Sequence, residues 1–408
     1  MNATNLGQLA TPIAKQRALA RTRLCPGSGL TTCHVVSAEQ WAGAEAQIAM
    51  LLRQLAADTT LSLSAIVLGE GRLGEELANS GIETALIPNA SGRFLASFSD
   101  ASRFLRGKKV DILHSHKSKE NLLALLLARR FGVPFLVRTQ HGMPEPRTLK
   151  DRVVYSMDRL TSRYVSRVIC VSGDLKQRLA SKALGERIAV IRNAIDLARV
   201  QSGFTVADAK RRLEISPERA VVGIVGRLEA VKRVDLFLDI ARCLSRELPS
   251  ACFVIAGAGR EEASLRDSLR GSDLEQRTLF LGERDDIYDV LRAIDLLLIT
   301  SDHEGMPTVL LEALALGVPV VARNVGGIGE VISDNLSGRL VNSADAATIA
   351  RASLPLLNAG ALRSRLIANG IKTVHKFSAT ENAANYMHIY RSLVSSPLVP
   401  SENALYAP

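Results

Sequence analysis

The sequence predicts an α/β protein made of two doubly wound, Rossmann-like domains facing a central cleft. Three observations carry that reading. The chain has 408 residues, too many for one typical core and comfortable for two α/β domains. Short apolar strands alternate with helical segments, and the alternation runs through once and restarts near Ala220. Hydrophobic residues make up 47% and charged residues 23%, the balance of an ordinary globular protein.

The first half reads in order. Leu30 to Ser37 is a strand, Ala44 to Ala57 a helix and Leu61 to Leu68 a strand. A helix over about Leu73 to Ser80 leads to a strand at Glu83 to Ile87. Val110 to His114 is the next strand, Asn121 to Phe131 a helix and Phe135 to Thr139 a strand. A long helix over about Leu149 to Val165 carries the apolar stripe Leu149, Val153, Met157, Leu160 and Tyr164, with four cations elsewhere on its surface. Packing on the sheet is the plain reading of that stripe; contact of the basic face with a membrane is the alternative. Strands at Arg167 to Val171 and Ile188 to Ile191 complete the half. Such short apolar strands imply a parallel sheet covered on both faces.

The second half places strands at Ala220 to Val225, Ala251 to Ala256, Thr278 to Leu281, Asp295 to Ile299, Val318 to Ala322 and Gly338 to Val341, with helices between. The expected division is a basic, loosely ordered extension over 1–29, domains over 30–200 and 201–376, a helix within 377–396 and a tail over 397–408. The hinge is expected near 192–206, and the proline-containing tail to fray.

Charge is unevenly spread. Residues 1–200 carry 28 Lys and Arg against 16 Asp and Glu, a net of +12; the remaining residues carry 23 against 25, a net of −2. A basic half can face nucleic acid, an anionic membrane or an acidic substrate. Aromatics are only 4% and no basic stretch is interleaved with them, which argues against a nucleic-acid stacking platform. The longest apolar run, Leu122 to Ala128, is far too short to span a bilayer, and residues 1–29 have no signal-peptide core. Five cysteines without metal-type pairing read as reduced, mostly buried thiols in a cytoplasmic protein.

The richest segment is Glu304-Gly305-Met306-Pro307-Thr308-Val309-Leu310-Leu311-Glu312. It follows a buried-type strand and a polar turn, and Pro307 suits the first turn of a helix. Glu304 then lies in a loop at the mouth of the sheet and Glu312 more than a turn into the helix. The N–H groups near 305–308 form an anion site flanked by carboxylates able to hold sugar hydroxyls. Phosphate beside polyol is the chemistry of a nucleotide-sugar. Arg227 and Lys232 follow the strand Val221 to Val225 and suit a diphosphate, or else form a solvated basic turn.

Other motifs weigh less. Gly257-Ala258-Gly259 lacks the third glycine of a dinucleotide fingerprint. Gly69-x-Gly71-x-x-Gly74 matches it, but no acid is placed for a ribose after the next strand. His114-Ser115-His116 ends a strand with both rings on one side. Metal binding is conceivable there, though no third ligand of matching type is near in sequence. Substrate contact at the rim of the sheet is the favoured reading, a structural histidine the alternative. His141 ends the next strand and points to the same rim. No Asp-x-Asp is present to hold a divalent cation on a diphosphate.

Together these residues resemble the retaining glycosyltransferase family 4, of the GT-B fold. The resemblance runs from about Val35 to Tyr390 and is strongest from Gly223 to Val341. Glu304 and Glu312 form the full Glu-x7-Glu, and Arg227 and Lys232 the phosphate pair. The run through Leu281-Gly282, Asp286-Ile287, Ala293-Ile294-Asp295, Gly317-Val318-Pro319-Val320, Gly326-Gly327 and Glu330-Val331-Ile332 keeps the family's order and spacing. Three positions depart from it: Ala42-Gly43 where Gly-Gly is usual, Lys232-Arg233 for Lys-Gly, and Asn193-Ala194 for Asn-Gly.

The resemblance implies a C-terminal domain that binds a nucleotide-sugar through Arg227, Lys232, Gly305, Met306, Pro307, Thr308 and Glu312, with Gly43 of the first loop approaching the diphosphate. It implies an N-terminal acceptor domain, a C-terminal helix crossing back to it, and transfer with retention and without metal or other cofactor. The expected catalytic residues are His116, taken as further out on the rim than His114, and Glu304; His114 and His141 are acceptor-side candidates. The expected partners are a nucleotide-sugar, a glycan or lipid-linked acceptor and, through the basic half, the anionic inner face of a membrane, with no nucleic acid. Cell-surface polysaccharide or lipopolysaccharide synthesis is the expected setting. The alternatives are a GT-B nucleotide-sugar epimerase and a non-catalytic nucleotide-sugar-binding protein.

Overall fold

The computed structural model describes residues 29–38, 41–88, 93–143, 156, 161–180, 184–358 and 360–395. The chain folds into two compact units. The first runs to Val171, resumes over Lys176–Ile191 and takes back the chain from Thr380. The second holds Ser172–Leu175 and Arg192–Ala379.

The first unit is built on seven strands: β1 (Leu30–Ser37), β2 (Leu61–Leu68), β3 (Glu83–Ile87), β4 (Ile112–Ser115), β5 (Phe135–Gln140), β6 (Arg167–Cys170) and β7 (Ile188–Val190). They pair in parallel in the order β3-β2-β1-β4-β5-β6-β7. Chain order reverses between β1 and β4, the place where open α/β sheets take their ligands. The sheet is covered as the apolar strands require. Ile48, Leu52 and Leu55 of the helix Gly43–Ala56 and Leu73 and Leu77 of the helix Arg72–Asn79 sink into one core. The C-terminal helix Ala379–Ser395 adds Tyr386, Met387 and Tyr390 to that core, and Arg391 ties it to Asp58 at 3.1 Å.

The second unit has six strands: β8 (Val221–Val225), β9 (Cys252–Ala256), β10 (Thr278–Gly282), β11 (Leu296–Ile299), β12 (Val320–Arg323) and β13 (Arg339–Val341). Their order is β10-β9-β8-β11-β12-β13, again all parallel, and the reversal falls between β8 and β11. Its core gathers Phe237, Ile240 and Leu244 of the helix Val234–Glu247 against Phe253 and Ile255 of β9.

The strand expectations hold throughout to within two residues. Two helices of the first half were not expected, nor were Ala346–Leu357 and Ala361–Val374 after the last strand of the second. Phe94–Leu105, a stretch given no element from the sequence, buries Ala101 and Leu105. Gly173–Leu179 is only two turns long and buries Leu175. The helix expected over about Leu149 to Val165 lies for the most part outside the described residues, as do the extension 1–28 and the tail after Ser395. Among the described residues no helix is long and apolar enough to cross a membrane. Cys33, Cys170 and Cys252 are buried free thiols, and burial pushes Cys33 up to about 12 and Cys170 to about 11.

Candidate functional site

In the second unit the loops that leave β8 and β11 border a small open cleft, lined by Gly226, Arg227, Lys232, Ser301, Glu304 and Val309 among others. It sits at the reversal of the strand order, so Glu304, expected as catalytic, and Arg227 and Lys232, expected on the diphosphate, meet where open α/β sheets take their ligands. Lys232 Nζ donates to Glu304 Oε1 at 2.5 Å, and Ser301 Oγ donates to the same oxygen at 2.6 Å. Glu304 is only 8% exposed, and a carboxylate that buried requires such partners. Lys232 is therefore not a lone cation awaiting phosphate. Arg227 is exposed, and among the described residues its guanidinium has no ion pair.

Pro307 occupies the N-cap position, with φ −70° and ψ 128°, and the helix runs Thr308–Ala315, so the proline lies one residue ahead of the first turn. Among the described residues, the N–H groups of Gly305, Met306, Thr308 and Val309 donate to no protein group. They are the orphan donors of a helix start, with its positive dipole end behind them. Two glycines hold the loop from beneath. A Cβ on Gly326, whose φ is +55°, would stand 1.8 Å from the Glu304 carbonyl oxygen; one on Gly327 would stand 2.0 Å from that of Gly305. The Gly327 N–H donates to both carbonyls, at 3.3 and 3.0 Å. Asn193 Nδ2 donates to the Met306 carbonyl at 2.7 Å and pins the loop from the other side.

Glu312 lies midway along the helix and does not line the cleft. Burial pushes its carboxyl up to about 7. Arg233, where the family has glycine, adopts φ +52° and ψ +50°. That is the left-handed region in which a side chain is strained, and ion pairs to Asp235 and Asp302 hold it there. Gly257 and Gly259 pack backbone on backbone: a Cβ at either would fall 2.0 Å from Gly226 O or 2.3 Å from Leu228 O. The Gly-x-Gly thus shapes the Arg227 loop.

In the first unit a second group of polar side chains gathers at the reversal between β1 and β4. His34 and His114 are register partners across those strands. His116 follows β4 directly, and His141 follows β5. His34 Nδ1 lies 3.1 Å from His116 Nε2, and His116 Nδ1 lies 3.3 Å from His141 Nε2. Tyr390, from the C-terminal helix, places its hydroxyl 3.3 Å from His34 Nε2 and 2.5 Å from His114 Nδ1. His114 Nε2 lies 2.9 Å from Thr139 Oγ1, which lies 3.2 Å from the Tyr386 hydroxyl. Burial drives His34 and His141 down to about 3 and holds His114 and His116 well below the ordinary histidine value. All four rings are neutral at physiological pH.

His116 was expected out on the rim. Instead it is 3% exposed and both ring nitrogens are taken by other imidazoles. A third imidazole was thought missing near His114 and His116, yet His34 supplies it: one ligand atom from each of the three lies within 4.8 Å of the others. The set fits a metal poorly. His114 and His116 stack face to face, with centroids 4.4 Å apart and planes 16° apart, and every nitrogen of the three rings already bonds to another imidazole or to a hydroxyl.

Gly43 opens the helix Gly43–Ala56 in this same unit. Glu45 caps that helix by accepting the Ala42 N–H at 3.2 Å and pairs with Lys117, next to His116. Glu120 accepts the N–H groups of His116 and Lys117, each at 2.8 Å, and burial pushes its carboxyl up to about 7. The expected site residues thus fall into two groups: Arg227, Lys232 and Glu304 with the 305–308 loop, and His114, His116 and His141 with the start of the Gly43 helix nearby. His34, Tyr386, Tyr390, Glu120 and Asn193 went unnoticed as site residues. Only His34 left a signal, since the order β2-β1-β4 sets it opposite His114.

The comparisons with known proteins agree with this geometry. A family model described as Glycosyltransferase Family 4 matches residues 41–199, and one described as Glycosyl transferases group 1 matches residues 206–373. The chain is 30% identical over 252 residues to the UDP-Gal:alpha-D-GlcNAc-diphosphoundecaprenol alpha-1,3-galactosyltransferase of Escherichia coli, covering 60% of this chain and 65% of that protein. It is 30% identical over 318 residues to the D-inositol 3-phosphate glycosyltransferase of Frankia alni, covering 71% and 76%. Among solved structures, Anabaena HepE in complex with UDP and glucose superposes with a TM-score of 0.78 at 18% identity, covering 89% of this chain and 100% of that one. HepE in complex with UDP-glucose gives 0.77 at 19%.

Proposed function

This chain belongs to glycosyltransferase family 4, with the GT-B fold, and from that premise we propose that it moves a sugar from a nucleotide-sugar to a lipid-linked glycan acceptor, with retention and without metal. The observation that carries the donor assignment is the cleft between the β8 and β11 loops. A free guanidinium, a Lys–Glu pair and four unpaired N–H donors converge around it. A diphosphate there meets Arg227 and the start of the Thr308–Ala315 helix. As the glycosyl bond breaks, negative charge grows on the departing diphosphate, and these donors stabilise it without reorganising. Lys232 shifts part of its interaction from Glu304 to phosphate, which leaves Glu304 oxygens for donor-sugar hydroxyls. Glu312, whose carboxyl burial pushes up to about 7, is taken as the group that meets the ribose hydroxyls.

The relatives narrow the substrates. The Escherichia coli enzyme is named for UDP-Gal and a diphosphoundecaprenol acceptor, and HepE is seen with UDP and UDP-glucose. A UDP-sugar donor and a polyprenyl-diphosphate-linked acceptor are the first substrates to try. The net +12 of residues 1–200 suits peripheral contact with an anionic membrane at the cytoplasmic face, at about 1 kcal/mol per cation near the surface. The decisive experiment combines two measurements. UDP-, GDP- and ADP-sugars are screened for thermal stabilisation, and the hit is then assayed for transfer to a lipid-linked sugar with and without EDTA. Transfer that survives chelation, with the product anomer matching the donor, supports the reading. Hydrolysis or epimerisation of the sugar alone sinks it.

A further inference from the structure

The polar groups of the first unit form one unbroken line: Tyr386 hydroxyl, Thr139 hydroxyl, His114, Tyr390 hydroxyl, His34, His116, His141. Seven groups are joined by six contacts. At neutral charge each group owns one hydrogen, so seven hydrogens serve six contacts. The line ends at His141 Nδ1, which is shielded from water and has no partner among the described residues.

Only one arrangement gives every hydroxyl hydrogen an acceptor. Tyr386 donates to Thr139, Thr139 to His114 Nε2, His114 Nδ1–H to Tyr390, Tyr390 to His34 Nε2, His34 Nδ1–H to His116 Nε2, and His116 Nδ1–H to His141 Nε2. The surplus hydrogen then sits on His141 Nδ1. Each alternative strands a hydroxyl hydrogen of Tyr386, Thr139 or Tyr390 in the interior and also leaves the His141 Nδ1 lone pair bare. Two unmet groups replace one, and buried unmet groups are costly.

We infer that Tyr386 and Tyr390 of the C-terminal helix set the direction of this line, so that all four imidazoles are locked as Nδ1–H tautomers and His141 offers an N–H donor to an oxygen of a bound ligand. Three consequences follow. His116 and His114 have no free lone pair and serve as positioning residues. His141 is a hydrogen-bond donor and not a general base. The oxygen it meets needs a lone pair and no proton, as in a phosphate or a sugar ether, or a hydroxyl whose own hydrogen points elsewhere. The nature of that ligand rests on the glycosyltransferase reading; the tautomers do not.

The test is imidazole ¹⁵N NMR on the full-length, ¹⁵N-labelled protein without ligand, with each resonance assigned by single His→Gln variants. His34, His114, His116 and His141 are expected to show protonated Nδ1 and bare Nε2, the reverse of the tautomer that free histidine prefers. A wild-type spectrum with His141 protonated at Nε2 overturns the inference. Tyr390→Phe removes the hydroxyl hydrogen that fixes the direction of His34, His116 and His141, so those three rings are expected to move toward Nε2–H, while His114, still directed by Tyr386 and Thr139, keeps Nδ1–H. A melting curve confirms that the variant is folded, and unchanged tautomers in a folded variant also overturn the inference. In the transfer assay, Tyr390→Phe is expected to lower kcat on the order of 10-fold with UDP affinity unchanged. A protein with the expected tautomers but no transfer from any sugar nucleotide keeps this inference and loses the proposed function.

Discussion

The two units share one topology and solve the same problem with opposite chemistry. Each puts its polar groups where the strand order reverses. In the second unit those groups are charged and partly open: Arg227 is exposed, and the Lys232 side chain keeps 22% of its surface. In the first unit they are neutral rings and hydroxyls mostly sealed against water, with His34 and His114 at 0% exposure and only His141 half-buried. The contrast shows how burial selects chemistry. A site open to water can keep formal charge and use it on an anion. A sealed site expels charge, and its groups keep only direction, through hydrogen bonds.

The largest effect expected from breaking this contrast lies in the charged unit. Arg227→Ala with Lys232→Ala is expected to cut turnover by at least about 10²–10³-fold, the usual loss for one such donor, and to lower the melting point because the buried Glu304 loses its Lys232 partner. Wild-type turnover in that double variant removes the diphosphate assignment. Acid then separates the units. The four imidazoles of the first unit have folded values below the ordinary 6.5, at about 3 for His34 and His141. The unfolded chain binds protons that the folded unit refuses, so stability is full above pH 6.5 and is lost as pH falls toward 3. Glu120 opposes this as one group, since its raised value makes the folded unit hold a proton between 4.5 and about 7. Glu312 acts the same way in the second unit, whose stability rises over that window as pH falls. Hydrogen exchange at pH 7 and pH 5 should therefore show protection falling in β1, β4 and β5 and not in β8 or β11. Equal loss in both units breaks the comparison.

Smaller effects sharpen it. Gly326→Ala places a Cβ 1.8 Å from the Glu304 carbonyl oxygen at a positive φ, and is expected to cost about 1–3 kcal/mol in urea denaturation and to lower donor affinity. Asn193→Ala removes the bond to Met306 O and should cost about 1 kcal/mol, with donor affinity reduced in the same direction. Arg233→Gly relieves left-handed strain and is expected to raise stability by about 1 kcal/mol or less, because the ion pairs it gives up are partly exposed. A fall in the urea midpoint there would show that the Asp302 contact matters more than the backbone.

The donor side was legible because its groups are local. Glu304 to Glu312 is one loop and one helix turn, and Arg227 to Lys232 one loop, so spacing alone nearly fixes their geometry. The imidazole line was only partly visible. His114 and His116 show themselves as alternating positions on a strand, and His141 as a strand end. Tyr390 lies 276 residues from its His114 partner, and nothing in the local pattern joins them.

The sequence by itself determined the strands to within two residues, the two parallel sheets, the charge asymmetry and the loop and helix start at 304–312, because these depend on periodicity, turn chemistry and short spacing. Tertiary structure alone decided three things. The Gly-x-Gly at 257 packs under the Arg227 loop rather than cradling a dinucleotide, Lys232 is held by Glu304, and His116 is sealed within a line of imidazoles rather than set on the rim. The reason is the same in each case. Which buried polar group meets which partner depends on burial and on contacts between distant segments, and a low-dielectric interior lets only fully paired groups survive.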